Sequence, residues 1–418
     1  MTTALGERRN RRKAGSAHSM LSLFRRERNL RWFLPGYATS LFGSAMAPVA
    51  LAFALLHGPG GAQSLGWVLT ARIVPVLLTL LIGGAAADRL GGRPVLLSAD
   101  ALRCAAQAGI AAALLAGSPP LWLLLALAAA GGVGEAVVNP ALTALIPRIA
   151  PPELLARTNA WLTLARSTAS VGGPALAGLL TVWAGPGTVL AVDAGTYTVS
   201  LLALARLRIT AEPGPPAGRR PSLVAQLREG WSEFRARDWL WVSCLHACFF
   251  NLLLWAPFLV LGPARSAQRL GGAGAWGLVM ACFGAGAVLG SLGLLRRDPA
   301  RPVRWSTVAM FGYVLPSAAL AAGLALPWVC AAGLLAGVGS AVSQSLTGLA
   351  WQRLIPDQLQ GRVAAYGTLG AFALGPVGLA AAGPVAAGLG TGTVLAAGAL
   401  WQLGATALVL TVRSIRAN

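Results

Sequence analysis

The sequence predicts an all-α protein that crosses a lipid bilayer many times. Hydrophobic side chains make up 56% of its 418 residues and charged ones only 11%. Apolar runs of about 20 residues, the length that crosses a hydrocarbon core, recur along the whole chain. Between them, segments rich in Arg alternate with segments that carry no basic residue. In lipid each backbone polar group must find its partner inside the protein, and a helix does this within one segment.

Twelve spans are expected, over 32–56, 64–87, 94–116, 121–146, 158–183, 187–205, 240–262, 274–295, 304–325, 328–350, 363–387 and 391–412. The first run is too long for a cleaved signal peptide and is expected to stay as a span. Connections after spans one, three, five, nine and eleven hold no Lys or Arg; Arg265 and Arg269 follow span seven. The remaining connections and both ends hold nearly all the basic residues, so both termini are expected in the cytoplasm. The Ala-, Arg- and Gly-rich, Lys-poor composition suggests a bacterium, hence the inner membrane.

The longest interruption starts with a Pro- and Gly-rich linker, Glu212–Pro221. After it, Leu223, Leu227, Trp231 and Phe234 recur at helical spacing, which predicts an amphipathic helix on the cytoplasmic interface. The chain therefore divides into a basic arm (1–31), a six-span bundle (32–208), a linker (209–239), a second six-span bundle (240–412) and a short tail (413–418). The halves echo each other. Span four ends Ala144-Leu-Ile-Pro147 and span ten Arg353-Leu-Ile-Pro356; each next span carries an early aromatic (Trp161, Tyr366) and a Gly-Pro step (Gly173-Pro174, Gly375-Pro376).

The composition excludes several classes. A net charge of +20 invites nucleic acid, but the charge sits in short connections and no soluble basic face exists to carry it. No phosphate-binding G-x-x-x-x-G-K-[ST] occurs, so ATP is not the direct energy source. Three scattered histidines (His18, His57, His246) leave no nucleophile–base set for an enzyme. The five cysteines lie in apolar runs without carboxylates at metal spacing, so no metal or other cofactor is expected.

The hairpin Gly83–Asp100, GGAAADRLGGRPVLLSAD, resembles the charged loop between helices two and three of the major facilitator superfamily. The matching residues are Gly84, Asp88, Arg89, Gly91 and Arg93; Gly92 stands where a second basic residue is usual. Phe42-Gly43-Ser44, GEAVVNPALTALIP, NAWLTLARSTASVGGPALAG and VDAGTYTVS extend the likeness to the drug-efflux branch of macrolide and enterobactin-type siderophore exporters. The resemblance implies twelve helices in two six-helix pseudo-repeats around a central cavity. It implies secondary active export of an amphipathic small molecule by proton antiport, the protein acting as a monomer. Export or import of a defined metabolite such as a siderophore, and a non-transporting scaffold or lipid scramblase, are the alternatives. The resemblance further implies gating at Asp88, Arg89, Arg93 and Arg362, with Asp88 meeting the start of span eleven. In span five, Gly173-Pro174 with Ala177-Gly178 is similar to the antiporter motif and reads equally as a small-residue seam.

Ionisable residues inside spans are costly and point to function. Here they are Arg72, Asp100, Arg103, Glu135, Arg166 and Asp193, all in the first half. Glu135 has Gly131, Gly132 and Gly134 beside it and is the candidate proton carrier; the competing reading is a permanent ion pair with Arg166. Asp100 and Arg103, one turn apart, fit gating and structure more than proton binding, though Asp100 stays in the coupling set. Asp193 reads as a packing partner, with Arg72 available to it. The substrate cavity is expected along spans one, four, seven and ten, with Tyr37, Met46, Phe53, Asn139, His246, Phe250, Asn251, Trp255 and Gln344 as lining groups. Aromatic and Met-bearing walls suit a bulky amphipathic ligand.

Overall fold

The computed structural model describes the backbone of residues 27–117, 119–208, 231–295 and 299–417, with side chains throughout these except at 80–90, 357–358, 361–362 and 365. Twelve membrane-length helical segments run through it. The first six are α1 (Arg28–Leu56), α2 (Gly61–Leu90), α3 (Gly92–Leu115), α4 (Leu121–Ile149), α5 (Leu155–Ala184) and α6 (Pro186–Ala205). The second six are α7 (Asp238–Arg269), α8 (Ala273–Leu294), α9 (302–321), α10 (Leu326–Leu354), α11 (357–389) and α12 (Thr391–Val409). No strand occurs among the described residues.

The helices differ from the sequence expectation mainly at their ends. α1 starts at Arg28, α4 reaches Ile149 and α7 reaches Arg269, because polar residues at membrane level continue the backbone ladder into the interface. All but α5 and α9 are long and apolar enough to cross a membrane on their own. α5 is diluted by Arg157, Arg166 and its Ser and Thr residues. α9 tightens to a 3₁₀ turn at Met310–Tyr313, which divides it. Matching glycines, Gly185 before α6 and Gly390 before α12, take φ of 79° and 87°. A side chain there would be strained, so each half makes the same short turn at the same point.

Packing repeats as the sequence echo implies. In the first half α1 packs on α5 and α6, α2 on α4, and α3 on α4 and α6. In the second half α7 packs on α11 and α12, α8 on α10, and α9 on α10 and α12. The halves meet through two seams related by the same repeat, α5 on α8 and α2 on α11. Both seams use glycine to bring backbones together: a Cβ on Gly277 would run into the Pro174 carbonyl and Gly178, and one on Gly66 into the Leu379 carbonyl. The Thr70 hydroxyl adds a hydrogen bond to the Pro376 carbonyl at 3.1 Å. Gly173-Pro174 thus stands where α5 touches both Ala45 of α1 and Gly277 of α8.

Buried apolar residues fall into three clusters whose positions define the shape. One cluster is shared by both halves; it holds Phe53, Leu65, Ala177, Leu261, Trp276 and Leu379, at the end of the bundle away from the termini. The other two lie at the end that bears the termini, one per half: Leu30, Leu96, Leu145 and Leu204, and Trp239, Val303, Ala350 and Ile415. Among the described residues, the buried apolar core is therefore joined between the halves at the far end and separate for each half at the terminal end, where they are split.

Of the expected linker helix, residues 222–230 lie outside the described residues. The turn that follows carries Trp231 and Phe234, which stack on each other at 5.9 Å and against Tyr366 of α11 at 5.5 and 6.3 Å. This piece of the linker is docked on the second half.

Candidate transport site

The first half contains a polar network at the level of the spans' middle. Arg72 of α2 donates through Nε to Glu135 Oε2 of α4 at 2.8 Å, and its Nη2 lies 2.8 Å from the same oxygen. The pair is not sealed, since the Glu135 side chain is 42% exposed. Arg103 of α3 donates to Asp100 Oδ1 at 3.3 Å, to Ser44 Oγ of α1 at 2.9 Å and to the Tyr197 hydroxyl of α6 at 2.8 Å. Its guanidinium also lies 4.3 Å from the centre of the Tyr197 ring. Ser200 donates to the other oxygen of Asp100 at 2.7 Å. A cavity of about 30 Å³, on the scale of one water, is lined by both Arg72 and Arg103 and joins the two parts.

The second half contains a larger, uncharged cavity of about 610 Å³. Phe250, Trp255, Phe283 and Tyr313 form one aromatic wall; Trp255 lies 5.6 Å from Tyr313 and 5.8 Å from Phe283. The local cause is a π turn at Asn251–Trp255, which gives α7 a wide turn at this level. Asn251 stabilises it by donating to the carbonyls of Ala247 and Ala371. Opposite, Tyr313 donates to Ser340 Oγ at 2.6 Å and Gln344 donates to the same oxygen at 3.0 Å. His246 lies 3.3 Å from the Thr406 hydroxyl, which accepts from Gln402.

The repeat ties the two sites together. Glu135 and Gln344 each stand ten residues before the leucine of the matching Leu-Ile-Pro, so they occupy the same level of α4 and α10. Gln344 lines the second-half cavity. Glu135 is its charged counterpart in the first half.

Several expectations change. Glu135 pairs with Arg72, not with Arg166, which instead donates to the Tyr37 hydroxyl at 3.2 Å. Arg72 is consequently not the partner of Asp193. Tyr37 is buried in the first half's own apolar cluster and Met46 and Phe53 in the shared one, 8%, 4% and 1% exposed, and none of the three lines the cavity. The smooth apolar periodicity of α1 turns these large side chains into the core. His246, Phe250, Asn251, Trp255 and Gln344 do line it, and Asn139 shares the exposed side of α4 with Glu135 one turn away. Arg93 donates to the carbonyls of Leu204 and Ala205, binding the start of α3 to the end of α6 and meeting its dipole. The side chains of Asp88, Arg89 and Arg362 lie outside the described residues.

Ser44, Tyr197, Ser200, Tyr313 and Ser340 were not picked out from the sequence. In VDAGTYTVS, Asp193, Tyr197 and Ser200 fall at i, i+4 and i+7, one helical face, and that spacing was the available signal. No group of three or more metal-ligating side chains occurs among the described residues.

The family model described as Major Facilitator Superfamily matches residues 33–379. The multidrug efflux pump Tap of Mycobacterium tuberculosis is 30% identical over 366 residues, covering 83% of this chain and 85% of that protein. Macrolide efflux protein A of Streptococcus pyogenes is 24% identical over 243 residues, 57% of this chain and 58% of its own length. Among solved structures, a bacterial homologue of the iron transporter ferroportin in an inward-facing state aligns over 91% of this chain and 98% of its own, with a TM-score of 0.65 at 18% identity. An auto-inhibited peptide transporter of the POT family aligns over 91% and 96%, with a TM-score of 0.73 at 14% identity. At these identities the structures speak to fold alone.

Proposed function

The chain belongs to the Major Facilitator Superfamily, and from that premise we propose that it exports an amphipathic small molecule by proton antiport with alternating access. The observation that carries this is the Arg72–Glu135 pair, a partly exposed ion pair among the spans of the first half, beside a second half whose aromatic cavity has no charge of its own. Likeness to a multidrug pump and a macrolide efflux protein supports export of drug-like molecules. The positive-inside rule makes the terminal end cytoplasmic. The fused far end and split terminal end then describe an inward-facing state, ready to load from the cytoplasm.

In this reading the second half supplies the binding surface. Phe250, Trp255 and Tyr313 stack on the ligand's apolar body, while the Tyr313–Ser340–Gln344 chain meets a polar group. Glu135 is the exchangeable carboxylate. It changes partners between Arg72 and the ligand or a proton as the halves rock, while Gly132 and Gly134 hold α4 close against Arg72 of α2 and Arg103 of α3.

The test is transport by the full chain in proteoliposomes, with a panel of amphipathic drugs that includes a macrolide. Wild type is expected to concentrate at least one of them when a pH gradient is imposed, and to stop when the gradient is collapsed. Glu135→Gln should lose uphill transport by at least tenfold while keeping downhill exchange. A Glu135→Gln protein that still concentrates its drug ends this role for Glu135. Labelling offers a separate check on sidedness: tags at either terminus, or within 213–220, should react only from the cytoplasmic side, and external reaction would reverse the assignment.

A further inference from the structure

Asp193 is the one intramembrane carboxylate left without an ion pair among the described residues. It sits on α6 and is 1% exposed. Its Oδ1 receives a long 3.4 Å contact from the Thr196 hydroxyl, whose closer partner is the Asp193 carbonyl at 2.7 Å. Its Oδ2 has no hydrogen-bond partner among the described residues. Gly43 of α1 closes over it, so tightly that a Cβ there would strike both the carboxylate and the Thr196 hydroxyl.

The surroundings are fully enumerable. α3 presents Arg103, Asp100 and Cys104, the last engaged with the Ala194 carbonyl and Thr198. α1 presents Ser44, and α6 itself presents Tyr197. Arg166 of α5 hydrogen-bonds Tyr37 and is joined to none of these groups, so it stands outside the network. Arg72 and Glu135 act from the next layer, within electrostatic reach. The network therefore counts two guanidiniums (Arg72, Arg103) against three carboxylates (Asp100, Glu135, Asp193). It is neutral only when it holds one proton. Glu135 is ion-paired with Arg72, and Asp100 takes both Arg103 and Ser200. A buried carboxylate with an orphaned oxygen is the costliest place for the surplus charge and the cheapest for a neutral acid.

We propose that Asp193 is a proton-binding site, occupied in this inward-facing conformation, that stores the exchanged proton behind the partly exposed Glu135. This rests on the antiport reading and adds the step that couples it. When a cationic group of the ligand takes Glu135, its charge balances that carboxylate and Arg72 is freed to balance another. Asp193–COOH then releases its proton to water and remains as the carboxylate, so loading drives off one proton.

Infrared spectroscopy of the full chain in lipid at neutral pH tests this without any substrate. Wild type should show a protonated-carboxyl band, lost in Asp193→Asn and shifted in frequency in Asp193→Glu. Asn reproduces the neutral acid's shape, so Asp193→Asn should elute as a monodisperse, folded protein. A band unchanged in both variants overturns the proposal, and so does an Asp193→Asn protein that fails to fold, since that would mean an ionised Asp193 is required. A band that responds as expected, in a protein whose transport ignores the pH gradient, would leave the proton site standing and remove the antiport reading.

Discussion

Arg103→Met will yield almost no stable protein. Arg103 is the hub through which α1, α3 and α6 share one guanidinium, with Asp100, Ser44 and Tyr197 all bound to it. Its side chain is 11% exposed and that of Asp100 5%. Removing it strands Asp100 with a single hydroxyl partner, and losing one member of a buried pair costs about 3–5 kcal/mol. That is a large share of the roughly 5–15 kcal/mol that holds a typical domain together. Lys restores the charge but not the fork that reaches three partners, so Arg103→Lys should be intermediate. Pairing Arg103→Met with Asp100→Asn should recover part of the loss, because no charge is left stranded. Thermal aggregation of purified protein, read by size exclusion, measures all three; Arg103→Met melting with wild type would refute the hub.

Gly277→Val and Gly337→Val will both slow transport at least tenfold, but only the first will leave a folded protein. Gly337 sits inside the second half, where a Cβ would run into the Phe283 carbonyl of α8. Separating α8 from α10 breaks the half itself, and overpacking of this kind costs about 1–3 kcal/mol or more. Gly277 stands instead on the seam between the halves, against Pro174 and Gly178 of α5. A wedge there leaves each half intact and opens the far end. The expected signature is normal elution, raised labelling of a cysteine introduced at Thr181 from the outer side, and at least tenfold slower transport. Unchanged labelling at 181 would show that the seam is not the far-end seal.

The architecture was legible because it depends on sums over many residues. Apolar length, basic alternation and the paired Leu-Ile-Pro endings each survive errors of a few positions. The site was legible only in kind. Sequence picks out every charged group in the spans, but which guanidinium meets Glu135 depends on which helices are neighbours: α2, with Arg72, packs on α4, whereas α5, with Arg166, packs on α1 and α8. The same limit misassigned Tyr37, Met46 and Phe53: in a helix apolar on every side, no polar stripe marks the wall. In α7 and α10, by contrast, Asn251 and Gln344 break the apolar run, and both line the second-half cavity.

The confinement of charge to one half has a bearing on how such a protein changes over generations. Any replacement within the Arg72–Glu135 or Arg103 network leaves an uncompensated ion, so single steps there are lethal to the fold or to the coupling. The wall formed by Phe250, Trp255, Phe283 and Tyr313 contains no ion to strand. Exchanging one ring for another residue alters volume and polarity at modest cost. On the proposed function, the range of molecules carried is therefore free to drift one substitution at a time, while the charged network of the first half stays fixed.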